Sequence, residues 1–276
     1  MKYPTVRTMA SIKLLSLNVA LFEKNNEKLA RFIQKLNVDI LSLQEVTRRV
    51  DVAANREFIS MNSIDVGSSA LTESFFAPLW VLSKFEKADF HGKELFSVNF
   101  KGKIEFGNYL KTRYPITKGQ NIFVQNHFSY VTDWSKWPEE DYRAVQVNDL
   151  DIDGKKLRVL NYHGIWSKDK RGTAQTKAAC EVIKKLALEA NGPVIITGDF
   201  NLFPDTDSMQ VFGAEFVSLV DQFKIASTRP ATNELSSEKR NVVDYIFVTK
   251  DITVKNFEVL ESDVSDHLPL VLEFEL

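Results

Sequence analysis

Apolar and polar residues follow one another near the N-terminus in a pattern that predicts a strand, a helix and a second strand. Ile12–Asn18 is mostly apolar and ends in an asparagine, as a strand end would. The next apolar side chains have the i, i+3, i+4, i+7 spacing of one helix face and are Leu29, Phe32, Ile33 and Leu36. Residues 38–43 form another apolar run. Because a β-α-β unit pairs its strands in parallel with a right-handed crossover, we expect Asn18 and Glu45 at the same edge of one sheet.

A hairpin and a helix are predicted further along the chain. Residues 142–150 and 157–163 alternate like two antiparallel strands joined by an Asp-Gly turn. The second of these strands ends at His163. Residues 172–190 have one apolar face and stop at an Asn-Gly pair, which predicts a helix.

The stretch from Pro193 to Asn201 carries the clearest sign of chemistry. A β-branched apolar run ends at Gly198, after which Asp199 and Asn201 stand at alternate positions. If extended geometry continues, the two side chains point the same way. Burying them together is costly unless a metal ion or a phosphate binds there. An Asx turn at the end of a strand explains the same residues equally well.

Polar residues also accompany the last strands, which are predicted over residues 242–249, 252–260 and 268–276. Asp244 lies inside the first of these runs, and Asp266 and His267 precede the last. An isolated carboxylate in an apolar strand would cost several kcal/mol, so Asp244 needs a partner, and a histidine is the natural one. Oxygen-rich ligands with few histidines and no cysteines favour Mg²⁺ or Mn²⁺ over zinc.

The middle of the chain has a weaker pattern. Residues 51–103 predict one or two strands and long loops, and residues 107–116 a strand closed by a Pro turn. Residues 123–137 concentrate aromatic side chains outside any clear period: Phe128, Tyr130, Trp134 and Trp137. These aromatics fit a loop that lines a pocket and plain packing equally well.

Composition places the chain among soluble globular proteins. Its 276 residues are 44% apolar and 26% charged, and a net charge of −2 gives no global attraction to nucleic acid or anionic membranes. We expect a single domain over residues 1–276, with a flexible segment at 1–11, that is monomeric and has no protein partner. The single cysteine, Cys180, excludes an intramolecular disulfide. No apolar run resembles a signal peptide or a membrane span, so a cytoplasmic protein is expected.

Collected, the strand-end motifs resemble the endonuclease/exonuclease/phosphatase family, the deoxyribonuclease-like metal-dependent phosphoesterases. In the family's order, and over nearly the whole chain, they are Ser16-Leu17-Asn18-Val19, Leu43-Gln44-Glu45-Val46, Gly107-Asn108 with Arg113-Tyr114-Pro115-Ile116, Asn161-Tyr162-His163, Gly198-Asp199-Phe200-Asn201, Val243-Asp244-Tyr245-Ile246 and Ser265-Asp266-His267. The resemblance implies an α/β fold, a four-layered α/β sandwich in which two mixed β-sheets pack face to face with helices outside. It also implies a site at one rim of the two sheets.

A metal site is implied by the same resemblance. Glu45 would be the principal ligand of Mg²⁺ or Mn²⁺, and Asn18 and Asp266 would assist it. Such hard cations prefer carboxylate oxygen, which agrees with the residue types.

The resemblance assigns the remaining residues to catalysis. Asp199 would orient or deprotonate the attacking water, or hold a second metal, and Asn201 would donate to a phosphate oxygen. His267 would contact the scissile phosphate, with Asp244 orienting it. His163 would stabilise the phosphate or protonate the leaving group. The division of base and acid among these groups stays open.

The expected function is therefore a hydrolase, a Mg²⁺-dependent phosphodiesterase with a small or terminal substrate such as a nucleic-acid end, a nucleotide, or a lipid or sugar headgroup. One alternative is a DNA-repair endonuclease or exonuclease. An alternative of another class is a catalytically silent binding module that keeps the fold. The family's Asn-Thr-His is Asn-Tyr-His here and is followed by Trp166, so a bulky group beside His163 is expected to shape the substrate pocket.

Overall fold

The structure is a computed structural model that describes residues 11–20, 26–49, 71–85, 88–90, 93–96, 100–131, 142–231 and 241–276. The predicted pocket aromatics Trp134 and Trp137, and residues 1–10 of the expected flexible segment 1–11, lie outside these residues.

One sheet has seven strands, and it contains both ends of the described chain. The strands are β1 (Ile12–Asn18), β2 (Ile40–Arg49), β3 (Glu73–Phe85), β6 (Phe100–Thr112), β8 (Ser129–Val131), β14 (Thr253–Val259) and β15 (Leu270–Glu275). Their order is β14-β15-β1-β2-β6-β3-β8. The strands β1 and β2 are parallel and are joined through helix α1 (Asn26–Leu36). The predicted β-α-β unit is confirmed.

The other sheet has six strands, which are β7 (Ile116–Gln125), β9 (Arg143–Ile152), β10 (Lys155–His163), β11 (Val194–Asp199), β12 (Phe216–Ser218) and β13 (Asp244–Thr249). Their order is β12-β13-β11-β10-β9-β7. The predicted hairpin of β9 and β10 is present, and its turn residues Asp153 and Gly154 have φ of 52° and 88°. Helix α2 (Ala174–Leu188) connects β10 to β11, which pair in parallel.

Short elements complete the fold: the two-stranded β4 (Ala88–Phe90) and β5 (Lys93–Phe96), and the helices α3 (Asp207–Gln210) and α4 (Leu219–Gln222). The region expected to hold one or two strands and long loops contains β3, β4, β5 and the beginning of β6. The strand β7 extends to Gln125, and β8 lies within the aromatic stretch, for which a pocket-lining loop and plain packing were equally expected. The strand β7 is an edge strand with a largely exposed, polar first half, so it shows little apolar alternation.

The helices lie on the outer faces of the two sheets. Leu29 and Ile33 of α1 are 2% and 1% exposed and pack in a cluster with Leu17 of β1 and Leu43 of β2. Burial of such side chains contributes roughly 1.5–3 kcal/mol each. On the other side, Ile183 of α2 belongs to the core cluster of the second sheet. The four-layered α/β sandwich is thus confirmed. In the described parts of the chain, no helix is long and apolar enough to cross a membrane.

Polar side chains join the inner faces of the sheets. Ser42 of β2 and Thr197 of β11 share a hydrogen bond of 2.8 Å between their hydroxyls, and Gln44 Nε2 donates to Asn161 Oδ1 at 2.7 Å. All four residues are fully buried. Buried polar groups are stable only when they are paired, so these bonds favour one alignment of the two sheets.

Candidate active site

The polar residues singled out in the sequence meet where the ends of β1, β2, β10, β11 and β13 come together. They are Asn18, Glu45, His163, Asp199, Asn201, Asp244, Asp266 and His267, and contacts of 2.8 to 3.9 Å link them into one group. Asn18 is central, because its Nδ2 donates both to Glu45 Oε1 at 3.0 Å and to Asp199 Oδ2 at 3.1 Å. Asn18 belongs to the seven-stranded sheet and Asp199 to the six-stranded sheet, so the group spans the junction of the two sheets.

Glu45 is directed into this junction by an irregularity of its strand. The pairing of β2 with β6 shifts register between Leu43 and Val46, and Glu45 has a φ of 58°. Bulges redirect side chains, and a left-handed backbone at a residue with a Cβ costs on the order of 1–3 kcal/mol. Asn18 holds the redirected carboxylate through its amide.

Glycines allow the strands of the second sheet to end close together. A Cβ at Gly198, whose φ is 144°, would overlap the carbonyl oxygen of Tyr162. A Cβ at Gly164 would likewise overlap the carbonyl of Phe200. The backbone can therefore bring His163 and Asp199, which are paired in register, into the same buried space.

Asp199 is held in its anionic form. Burial would raise the pKa of this carboxyl, but the positive charges of His267, Arg229 and Lys170 hold it below its usual range. Its Oδ1 also accepts the backbone N–H of Asn201 at 2.9 Å, which is the hydrogen bond of an Asx turn.

The Asx turn is therefore present, and the extended geometry that would alternate Asp199 and Asn201 does not continue. The strand β11 ends at Asp199, and Asn201 has a φ of 56°. Asn201 is near Asp199 because of the turn, and the alternation of a strand does not apply to it.

The predicted contact between Asp244 and His267 is present. Oδ1 of Asp244 lies 2.8 Å from Nδ1 of His267. The sequence predicts Asp244 inside its strand, whereas the structure places it at the first position of β13. Burial alone would lower the pKa of the imidazole, and Arg229 acts in the same direction. The carboxylates of Asp244, Asp199 and Asp266 outweigh both effects and raise the pKa of His267 above its usual value. This arrangement favours the protonated ring.

The imidazole of His163, unlike that of His267, is held in its neutral form. It is 4% exposed, and burial, followed by the nearby charge of Arg143, holds the pKa of its imidazole well below the usual value. Its Nε2 lies 3.4 Å from Glu45 Oε1, and its Nδ1 has no hydrogen-bond partner among the described residues. A neutral imidazole and a protonated one therefore flank Asp199, and these two forms suit different roles in acid–base chemistry.

Sequence reasoning missed two cations in this group. Arg229 Nη1 donates to Asp266 Oδ2 at 3.1 Å, and its Nη2 lies 4.0 Å from Asp199 Oδ2. Lys170 Nζ donates to Asn201 Oδ1 at 2.6 Å. Both residues occur in loop segments rich in polar residues, and no periodicity distinguishes them from exposed charges.

The donors around Glu45 fit a hard divalent cation. Burial raises the pKa of Glu45 to about 7, and although the Asn18 amide lowers it, the charges of Asp266 and Asp199 raise it further. The charge of His267 lowers this pKa, but no Lys or Arg among the described residues lies at ion-pair distance from Glu45. A carboxyl group in such a place, near other carboxylates, is stabilised by a bound cation. The amide oxygen of Asn18 accepts the N–H of Ala20 at 2.9 Å, so its nitrogen faces Glu45 in this structure.

A second set of possible ligands, Asp199, Asp244 and His267, has donor atoms within 4.8 Å of one another. It suits a hard cation less well, because the short Asp244–His267 contact already holds a proton between these residues. Glu45 with Asp266 is therefore the better candidate.

The pairing of Asp244 with His267 leads to a prediction for the metal-free protein. Replacement Asp244→Asn removes an anion that stabilises the imidazolium, so the pKa of His267 should fall. An NMR titration of the ring resonances measures this change. Asp251→Asn, an exposed carboxylate beyond the opposite end of β13, is the control and should leave the pKa of His267 unchanged. An unchanged or higher value in Asp244→Asn would exclude the assigned role.

Comparison with known proteins identifies the family to which the chain is similar. A model of the endonuclease/exonuclease/phosphatase family matches residues 15–267. A "UPF0294 protein" from Vibrio campbellii is 26% identical over 148 residues, which are 52% of this chain and 47% of that protein, so the match spans about half the length of this relative.

Solved structures share the fold at low sequence identity. The endonuclease/exonuclease/phosphatase from Beutenbergia cavernae has a TM-score of 0.70 at 15% identity, covering 96% of this chain and 72% of that one. Danio rerio TDP2, solved with a single-strand DNA product, has a TM-score of 0.66 at 14% identity, covering 97% of this chain and 100% of that one. Because the family model spans nearly the whole chain and the site motifs stand in one place, this protein belongs to the endonuclease/exonuclease/phosphatase family.

Proposed function

We propose that this protein is a Mg²⁺- or Mn²⁺-dependent phosphodiesterase that hydrolyses its substrate by in-line attack of water. Members of its family are phosphoric ester hydrolases. The observation that carries this proposal is the group of site residues at the sheet junction, where Glu45 has no Lys or Arg at ion-pair distance among the described residues while Asp199 is held anionic. These are the properties that a metal-assisted hydrolase needs in its ligand and in the group that handles water.

The metal would be held by Glu45 and Asp266, with Asn18 orienting the first carboxylate. A bound divalent cation supplies charge neutralisation and polarises a phosphoryl oxygen. The motif positions for this site are all filled, which argues against a catalytically silent binding module.

The protein's own side chains divide the remaining work. Asp199 orients the attacking water by accepting a hydrogen bond from it, since its carboxylate stays ionised in spite of burial. Protonated His267, fixed by Asp244, donates to a phosphate oxygen, and Asn201 donates through its amide. Neutral His163 lies beside Glu45 and is available to stabilise the phosphate or the leaving group.

We further propose that the substrate is small or terminal. The net charge of −2 gives no overall attraction to a long polyanion. Trp166 lies three positions beyond His163 and is partly exposed, while Phe106 lies 6.3 Å from the His163 ring between centroids. The rings of Phe128 and Tyr130 meet edge to face, with Tyr130 on the edge strand β8 and Phe128 immediately before it. Aromatic faces of this kind accept a base or an apolar leaving group.

The metal assignment is tested by Glu45→Gln. This change keeps the shape of the side chain but removes its charge, so Mg²⁺ affinity measured by calorimetry should fall at least about tenfold, and turnover of bis(p-nitrophenyl) phosphate should fall with it. Glu258→Gln, an exposed carboxylate on β14, is the matched control. If Glu45→Gln binds Mg²⁺ as tightly as the unchanged protein does, Glu45 is not the principal ligand.

The substrate proposal is tested by salt. Affinity for a long DNA duplex should be weak, and a plot of its logarithm against the logarithm of salt concentration should have a slope of about −2 or shallower, because few phosphates are neutralised. A fluorescence anisotropy titration at several salt concentrations measures this slope. Tight binding with a steep slope would favour the DNA-repair alternative.

A further inference from the structure

Lys170 is a buried cation to which the proposed mechanism gives no contact with the substrate. It lies in the loop between β10 and α2 and is 3% exposed, whereas its neighbours Lys168 and Asp169 are exposed. Its Nζ donates to Asn201 Oδ1 at 2.6 Å and lies 5.0 Å from the centre of the Trp166 ring. Lysine is rarely buried so completely, and in such a place it normally has an anionic partner.

The backbone directs this side chain inward at a cost. Lys170 has a φ of 55°, in the left-handed region that residues with a Cβ seldom adopt. Its carbonyl oxygen accepts the N–H of Phe203 at 3.0 Å, which ties the loop to the segment after Asn201. Glu45 and Asn201, both site residues, also have positive φ. Strained backbone concentrated at one place is characteristic of functional sites.

The ammonium group has donors to spare. An ammonium carries three N–H donors, and Asn201 Oδ1 is the one hydrogen-bond acceptor that Lys170 has among the described residues. Burial lowers the pKa of Lys170 to about 8, while the charge of Asp199 acts in the opposite direction. The group therefore remains mostly protonated near neutral pH. A buried charge with unused donors at this position suits an anion that arrives with the substrate.

The same hydrogen bond fixes the orientation of Asn201. A protonated lysine only donates, so it must face the amide oxygen, and Nδ2 of Asn201 is left to donate elsewhere. Within the described residues Nδ2 meets Gly164 O at 3.3 Å, which is long for a hydrogen bond of this type. Without Lys170, only this long contact with Gly164 O would hold the amide in its orientation.

We propose that Lys170 is a substrate-binding residue that donates to a non-bridging oxygen of the substrate phosphate and also holds Asn201 with its NH₂ group toward that phosphate. This inference rests on the proposed phosphodiesterase function, and Lys170 lies outside the strand-end motifs that resemble the family. A lysine that served only to compensate the charge of Asp199 would not bind phosphate.

The test uses Lys170→Met, which keeps the length of the side chain and removes its charge. Lys168→Met, an exposed lysine of the same loop, is the matched control. Calorimetry with inorganic phosphate in the presence of Mg²⁺ should show affinity reduced roughly 10- to 100-fold in Lys170→Met, as expected for the loss of a hydrogen bond to a charged group. The kcat/KM for bis(p-nitrophenyl) phosphate should fall by at least the same factor, and Lys168→Met should match the unchanged protein in both assays.

A structural role is separated from binding by chemical rescue. Added propylammonium should restore turnover to Lys170→Ala in a saturable manner, whereas tetramethylammonium, which cannot donate, should not. Circular dichroism checks that each variant is folded, and Lys170→Gln replaces Lys170→Met if that variant does not fold.

Phosphate affinity within twofold of the unchanged protein in the folded variant would overturn the proposal for Lys170. Failure of the unchanged protein to hydrolyse any phosphodiester would instead overturn the proposed function, and the phosphate titration would still decide whether Lys170 binds an anion.

Discussion

The hydrogen bond between Gln44 and Asn161 connects the two sheets at the point where the site forms. Gln44 immediately precedes Glu45, and Asn161 lies two positions before His163. The 2.7 Å bond between their side chains therefore sets how close Glu45 and His163 come, which is 3.4 Å between Oε1 and Nε2. An apolar interface between the sheets would tolerate sliding, whereas a buried amide pair loses its bond when the sheets shift.

Charge balance decides what this junction can bind. The carboxylate of Asp244 is matched by His267, and that of Asp266 by Arg229. Asp199 is compensated by several cations around it, which keep it ionised despite complete burial. Glu45 has no Lys or Arg at ion-pair distance among the described residues, and its pKa rises to about 7. It is thus the acid that a divalent cation would stabilise most.

Much of this site could be predicted from sequence, because strand ends follow simple geometry. The β-α-β unit indicated that Asn18 and Glu45 lie together, and the buried acid of the Val-Asp-Tyr-Ile motif required a partner such as His267. Lys170 and Arg229 could not be predicted, since their burial depends on how loops dock on the sheets and loops have no periodicity. Periodicity alone could not decide between the turn that places Asn201 beside Asp199 and a continuing strand.

The position of the metal is what the account depends on most. Anomalous diffraction from crystals grown with Mn²⁺ and inorganic phosphate would locate it directly. We expect a peak within coordination distance, about 2.0–2.3 Å, of a Glu45 carboxylate oxygen, with phosphate density between that peak and His267. A peak at Asp199, Asp244 and His267 instead, or no peak near Glu45 at saturating Mn²⁺, would contradict the account.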